Sequence, residues 1–150
     1  MTTSTGKTGK GVLFKIAPIA SPVVFVTIGN ARTISKSGSS ADEIDFTHLN
    51  STGGYRELRQ GFKDGGTLGI EVHYDPTLAS HIGTLGILGY FESGTVFIWQ
   101  IDFAGAGWAK GLRGNGFVSN PGDLDINVDG PITGNMTVRN TGPTSIVASP

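Results

Sequence analysis

The stretch "TLGIEVHYDP" at residues 67–76 decides the fold class. Apolar side chains stand at every second position from Leu68 to Tyr74, and Glu71 lies among the residues between them. This period of two predicts a strand with one buried face and one polar face. The Asp75–Pro76 step then predicts that a helix begins, because Asp is a good capping residue and Pro suits the first helical turn.

A helix is therefore predicted at about residues 76–90, where Leu78, Ile82 and Leu85 recur at helical spacing. Three glycines within it each lower helix stability by about 1 kcal/mol relative to Ala, so packing has to hold the helix in place.

A long polar segment, "HLNSTGGYRELRQGFKDGG" at 48–66, comes before the 67–75 strand. We predict a long inter-strand loop at about 48–66. Connections of this length are uncommon in a compact domain and usually have a function.

Further strands are predicted on both sides of these elements, and 24 glycines and 7 prolines among 150 residues suit a protein with many turns. The fold class is mainly β (α+β): a two-sheet β-sandwich or barrel with one flanking helix. We expect a flexible N-terminal arm at 1–10, a single domain at 11–142 and a C-terminal tail at 143–150. The other predicted strands are 11–17, 23–28, 31–37, 42–49, 94–103, 107–120 (bulged, or a strand pair), 123–129 and 134–142.

Motifs that would indicate catalysis or metal binding are weak in this sequence. The chain has a net charge of −1 and no cysteine, and no apolar run approaches the roughly 18 residues of a membrane span. "DLDINVDG" at 123–130 departs from a calcium loop at its sixth and twelfth positions, so its carboxylates are interpreted as the outward face of a strand. No catalytic residues, metal ligands or cofactors are predicted. We expect Trp99 and Trp108 to pack in the core or on a sheet.

An ordered series of motifs resembles the major tail tube protein of lambda-like, long-tailed bacteriophages. The resemblance covers about residues 28–146, including the C-terminal run from "GFVSN" to "TGPTSI", and departs from the family in a Gly-rich segment at 105–116. The motifs are "DEIDFTHL" (42–49), "YRE" (55–57), "GFKDGG" (61–66) and "YDP" (74–76).

The resemblance implies a structural protein of the virion tail, made in the cytoplasm of the host bacterium. Its subunits would assemble into hexameric rings that stack into a hollow tube, and double-stranded DNA would cross the tube without specific binding. The implied partners are further copies of the chain, a tail tip or initiator complex, the tape measure and the tail terminator. No membrane partner is expected.

Stacking requires a head-to-tail surface, and we expect the long loop to provide it. Its aromatic and arginine residues are types enriched at interfaces, and its glycines would keep it mobile until contact. The alternative is a merely disordered surface loop. The predicted inter-ring residues are Tyr55, Arg56, Glu57, Arg59, Phe62, Lys63 and Asp64.

A channel for DNA should repel phosphate, so an acidic strand face is expected to line it. Two sets of carboxylates are candidates, and a role in surface solubility is equally open. The first set is Asp123, Asp125 and Asp129, and the second is Glu71 and Asp75. Within a ring, we expect the exposed sheet edges of adjacent subunits to pair, so that the strands form one closed barrel.

Two other functions remain open at this stage. One is a monomeric β-sandwich that binds carbohydrate or a cell surface through Trp108 and residues 104–116. The other is the tube subunit of a secretion system. Electron microscopy of the concentrated protein separates the tube functions from the monomeric one.

Overall fold

The computed structural model describes residues 6–20 and 22–148, so residues 1–5 of the predicted N-terminal arm and 149–150 of the predicted C-terminal tail lie outside it. Within these residues the chain forms nine strands, two short helices (α1 and α2) and two 3₁₀ turns, at 52–54 and 104–106. The strands are β1 Leu13–Pro18, β2 Val26–Thr27, β3 Ala31–Ser37, β4 Ser40–Asp45, β5 Leu58–Asp64, β6 Thr67–His73, β7 Phe97–Asp102, β8 Lys110–Asp125 and β9 Thr133–Ala148. The helices are α1 Ala79–Ile82 and α2 Ile87–Ser93.

Two antiparallel sheets make up the structure, which confirms the predicted mainly-β sandwich with a helical flank. The larger sheet has seven strands in the order β2-β1-β7-β8-β9-β6-β3. The smaller one is a two-stranded hairpin of β4 and β5.

The long strands β8 and β9 belong to both halves of the larger sheet. The first part of β9 pairs with β6, whereas the first part of β8 pairs with β7. Three register shifts interrupt the β8–β9 ladder, so the Gly-rich segment around 107–120 is a bulged strand and not a strand pair. We call β3, β6, residues 133–139 of β9 and residues 117–125 of β8 the polar half-sheet.

One hydrophobic core lies between the two halves of the larger sheet. Alternate residues of the 67–73 stretch point into it, as the sequence predicted, and Trp99 is fully buried there. The core residues are Phe14, Ile16, Ile28, Leu68, Ile70, Val72, Ile87, Tyr90, Phe97, Trp99, Ile101, Val118, Met136 and Val138.

The predicted helical region is present but divided. The chain turns sharply between α1 and α2, where a Cβ on Gly86 would lie 2.3 Å from the carbonyl oxygen of Ala79. Asp75 does not cap α1, whose N-cap residue is Leu78. Instead the Asp75 carboxylate accepts hydrogen bonds from the backbone and hydroxyl of Thr77, and these lower the pKa of Asp75.

α1 is attached to the sheet through the buried imidazole of His81. Its Nε2–H donates to the carbonyl oxygen of Gly29 at 2.8 Å, and its Nδ1 accepts from the backbone N–H of Asp75 at 3.3 Å. These two partners assign the Nε2–H tautomer.

A His81→Ala substitution should lower the free energy of unfolding by about 2–3 kcal/mol, because it empties a buried site and removes both hydrogen bonds. Denaturant titration measures the change. His48→Ala, at an exposed histidine, is the control. Equal stabilities of the two variants would contradict this role for His81.

The strand predicted at 123–129 ends at Asp125, so this prediction was wrong beyond that residue. Ile126 and Val128 are not on an inward face, since 67% and 99% of these residues are exposed. The chain turns here because the side chain of Asn127 accepts a hydrogen bond from the backbone of Asp129, which competes with strand pairing.

The last strand is longer than predicted. β9 continues to Ala148, and Ser145 to Ala148 pair with the start of β8. Residues 143–148 of the predicted tail therefore lie in a strand. The division into arm, domain and tail remains a prediction.

Candidate assembly surfaces

The most exposed feature of the molecule is the β4–β5 hairpin, residues 40–64. The prediction of a loop through residue 66 is corrected in its second half, because Leu58–Asp64 form β5 and pair with β4. Residues 46–57 connect the two strands. One glycine and two basic residues at alternate positions of β5 hid the strand pattern, since neither of its faces is buried.

Contacts within the hairpin give its far end a defined shape. The Phe46 N–H donates to the carbonyl oxygen of Glu57, and the guanidinium of Arg59 lies 4.8 Å from the centre of the Phe46 ring. The Glu57 carboxylate accepts from Ser51 at 3.0 Å and lies 3.1 Å from Nε2 of His48. Glu57 and Arg59 therefore shape the hairpin itself.

Two aromatic residues of the predicted set extend into solvent: Tyr55 is 78% exposed and Phe62 is 88% exposed. Leu49, at the far end, is fully exposed as well and was missed by the sequence analysis. Its only signal was an isolated apolar residue in a polar segment. Arg56 and Lys63 are also exposed, whereas Asp64 pairs with Arg139 of its own chain.

The root of the hairpin is held by Asn140, a buried residue that sequence reasoning also missed. Its side-chain oxygen accepts from the indole N–H of Trp99 at 3.2 Å. Its amide nitrogen donates to the carbonyl oxygen of Gly65 at 3.2 Å and to the hydroxyl of Thr144 at 3.0 Å. Its backbone N–H donates to Gly66, whose φ of +80° suits glycine. Asn140 thus links the core to the point where the hairpin leaves the body.

A second contact at the root joins Asp64 to Arg139. The hydrogen bond from Arg139 lowers the pKa of Asp64 below its usual 3.8, and the backbone N–H of Gly66 lowers it further. The lowered pKa means that this contact contributes stability above about pH 3.8 and loses it as the pH falls through the folded value.

An Arg139→Gln substitution should therefore raise the pKa of Asp64, because the main cause of the lowering is removed. An NMR pH titration of the Asp64 carboxyl measures it, and the pKa of Asp45, whose partner is Thr47, serves as the internal control. An unchanged pKa of Asp64 would contradict the contact.

The polar half-sheet turns one face away from the core, and most residues on this face are small or polar. The registers place Glu71 opposite Asn135, Asn135 opposite Asp123, and Asp125 opposite Thr133. Three residues from the two candidate acidic sets, Glu71, Asp123 and Asp125, therefore share this face. The face carries Thr33, Ser35, Ser37, Thr67, Gly69, Glu71, His73, Phe117, Asn120, Asp123, Asp125, Thr133, Asn135, Thr137 and Arg139.

The remaining two acidic candidates are not on this face. Asp75 follows the end of β6, and Asp129 lies in the turn after β8. Arg32 lies beside the face, with its guanidinium 3.5 Å from the carboxylate of Glu71.

The polar half-sheet also has two outer edges. Among the residues that the structure describes, β3 pairs only with β6, and residues 117–125 of β8 pair only with β9. The two edges lie on opposite sides of the half-sheet, so each is available to a different neighbour.

Residues 6–20 and 22–148 offer neither a metal site nor a membrane-spanning helix. No group of three or more His, Asp or Glu side chains there is arranged to hold a metal ion. None of the helices in that part of the chain is long and apolar enough to cross a membrane.

Several solved structures of tails and tubes have a similar fold. A chain from the tail of an empty gene transfer agent particle has a TM-score of 0.72 at 21% identity, covering 95% of this chain and 100% of that one. The SPP1 tail tube has a TM-score of 0.67 at 12% identity, with coverages of 96% and 80%. A chain of the PVC sheath–tube complex, from an extracellular contractile injection system, has a TM-score of 0.64 at 11% identity, with coverages of 98% and 99%.

No curated protein sequence matches the chain. A family model described as phage tail tube, TTP, lambda-like, does match, over residues 4–121, which is most of the chain. The chain belongs to the lambda-like family of phage tail tube proteins and is a structural, non-enzymatic protein of the virion tail.

Proposed function

We propose that this protein assembles into hexameric rings that stack into a tail tube, and that the tube conducts double-stranded DNA out of the virion. The observation that carries the proposal is the β4–β5 hairpin, which exposes Tyr55 and Phe62 and is anchored to the body at its root. Large aromatic side chains held in solvent on an ordered projection are typical of a surface that another protein covers.

The hairpin supports stacking because it gives the subunit two unlike ends. A contact between unlike surfaces of identical chains is heterologous. It generates an open filament when the rotation from one copy to the next does not close a ring. Tyr55, Arg56 and Phe62 are exposed for such a contact. Glu57, Arg59 and Asp64 act within their own chain and hold the hairpin in shape, while Lys63 adds positive charge.

The two outer edges of the polar half-sheet support the ring. We propose that β3 of one subunit pairs with residues 117–125 of β8 of the next, so that the half-sheets join into a closed barrel. Edge pairing supplies backbone hydrogen bonds that both edges lack in the isolated subunit. Six subunits are proposed because the similar gene transfer agent tail has C6 symmetry.

The outward face of the polar half-sheet would then line the channel. Asp123 and Asp125 repel phosphate, Glu71 offsets the charge of Arg32, and the small hydroxyl and amide side chains around them hold no fixed positive charge. The two arginines at this face are each paired with a carboxylate, Arg32 with Glu71 and Arg139 with Asp64. Such a wall lowers the affinity for DNA and lets it pass.

Such an assembly would require other tail components. Exposed edges and aromatic residues favour uncontrolled association, so polymerisation would start at a tail tip or initiator complex. A tape measure protein would occupy the growing channel, and a tail terminator would cap the last ring. The protein would be made in the host cytoplasm and used in the virion tail.

Phe62→Ala tests the stacking role. We expect the variant to fold normally and to form no tubes, because the substitution removes the single aromatic side chain of β5, which is exposed. Electron microscopy of the concentrated protein measures tube length, and circular dichroism checks the fold. Phe91→Ala, at a partly exposed phenylalanine of α2, is the matched control. Tubes of normal length in Phe62→Ala would refute the role of the hairpin.

The monomeric sugar-binding function is disfavoured by the surroundings of Trp108. This ring packs edge-on against Phe103 with the centroids 6.0 Å apart. The cavity beside it is lined by Phe103, Trp108, Lys110, Gly111, Leu112 and Ile146. Apart from Lys110 these side chains offer a sugar few hydrogen-bonding partners beyond the indole N–H. The secretion-tube function predicts the same polymer, and detection of DNA inside tubes from intact particles separates it from a phage tail.

A further inference from the structure

The turn between β8 and β9 carries apolar residues that the core does not use. We call residues 126–132 the distal turn. Ile126, Val128 and Ile132 are all exposed there, and Val128 is almost entirely in solvent. Turns are usually polar, so three exposed branched side chains within seven residues indicate a surface that another molecule covers.

The distal turn lies at the opposite end of β6 from the hairpin. The hairpin joins β6 at Thr67, which pairs with Arg139. The other end of β6, His73, pairs with Thr133, the first residue after the distal turn. The seven-residue strand separates the two ends by about 20 Å. The root of the hairpin and the distal turn therefore lie at opposite ends of β6.

Opposite charges lie on the distal turn and on the second half of the hairpin, whereas the first half of the hairpin carries Asp42, Glu43 and Asp45. From Gly114 to Val138 the chain has no lysine or arginine, and its only charged residues are Asp123, Asp125 and Asp129. The second half of the hairpin carries Arg56, Arg59 and Lys63. The two acidic residues of that half are already engaged, Glu57 beside His48 and Asp64 by Arg139.

We propose that the distal turn of one subunit is the surface that receives the hairpin of a second copy in the adjoining ring. The inference rests on the proposed stacking function and names the acceptor for it. Apolar contact would come from Ile126, Val128 and Ile132 against the exposed Tyr55 and Phe62 of the hairpin. Asp129 would lie near the basic second half of the hairpin and favour one direction of stacking.

Substitution of the turn gives the first test. Ile126→Ser combined with Val128→Ser should abolish tubes in electron micrographs and leave the thermal unfolding midpoint unchanged, because both side chains are in solvent in the single subunit. Val24→Ser combined with Ile146→Ser removes the same number of exposed branched side chains elsewhere and is the control. Tubes of wild-type length in the turn variant would overturn the inference.

Crosslinking identifies the occupant. The chain has no cysteine, so Val128→Cys creates a single thiol that carries a benzophenone maleimide. A small fraction of this labelled chain is assembled with excess ¹⁵N-labelled wild type, irradiated and analysed by mass spectrometry. Adducts between residue 128 and ¹⁵N peptides from residues 46–64 support the inference. Adducts to any other part of the chain overturn it, and so does the absence of adducts in well-formed tubes.

The two proposals fail in different ways. If wild-type protein forms no tubes under any condition, the stacking function itself is wrong. If wild type forms tubes but the distal turn crosslinks elsewhere or tolerates both serines, only the assignment of the acceptor is wrong.

Discussion

An Asn140→Ala substitution should lower the free energy of unfolding by about 2–4 kcal/mol and should abolish tube formation. The stability loss follows because alanine leaves the buried indole N–H of Trp99 without its acceptor and removes two further hydrogen bonds of the side chain. An unsatisfied buried donor alone costs about 1–3 kcal/mol.

Loss of tubes follows from the position of Asn140, although the residue is buried and does not itself face a neighbouring subunit. The amide of Asn140 holds Gly65 at the root of the hairpin. Without it the direction of the hairpin relative to the core is less constrained, and a projection that must reach another subunit loses its preorganised position.

Denaturant titration and electron microscopy measure the two effects, and Asn135→Ala on the same strand is the matched control. Asn135 is exposed on the outward face, so its substitution should change stability by less than about 0.5 kcal/mol. Normal tubes from Asn140→Ala, at a temperature where the variant is fully folded, would show that the hairpin needs no such anchor.

The second large effect concerns DNA passage. Particles carrying Glu71→Lys, Asp123→Lys and Asp125→Lys together should assemble tails of normal length and fail to eject their DNA. Three carboxylates at −1 become three ammonium groups at +1, a change of six charges per chain. Each lysine that meets a phosphate adds affinity through counterion release, so the wall would retain DNA.

The charge effect has a specific control at the same positions. Glu71→Gln, Asp123→Asn and Asp125→Asn together remove the carboxylates without adding positive charge, and ejection should be reduced far less. Release of DNA is measured by nuclease sensitivity after triggering, and tail length by electron microscopy. Efficient ejection from the lysine variant, with normal tails, would mean that this face does not line the channel.

The fold class was predictable from local patterns because burial leaves a period in the sequence. β3 was predicted with its observed bounds, and β6 was predicted two residues too long, at 67–75. Trp99 was predicted to pack in the core or on a sheet, and it is fully buried in the core. The helical region is divided at glycines that the sequence shows, because a Cβ on Gly86 would collide with the carbonyl oxygen of Ala79, but the spacing of the apolar residues does not indicate where the helix breaks.

Errors concentrated where strands have no buried face. β5 was missed because both of its faces are in solvent, and the strand at 123–129 was extended too far because alternation continues into an exposed turn. Alternation of apolar and polar residues indicates a half-buried strand, so it misses a strand with no buried face and extends a strand into an exposed turn that also alternates.

The sequence by itself determined the class of fold, the position of the projecting segment and, through an ordered series of motifs, the family. Only the tertiary structure decided that Glu71 and Asp123 share one face, that Asn140 anchors the hairpin, and that the distal turn lies at the opposite end of β6. The physical reason is that these relations depend on strand register and on contacts between residues many positions apart. A local pattern records which side chains are buried, but it does not record which strand lies beside which.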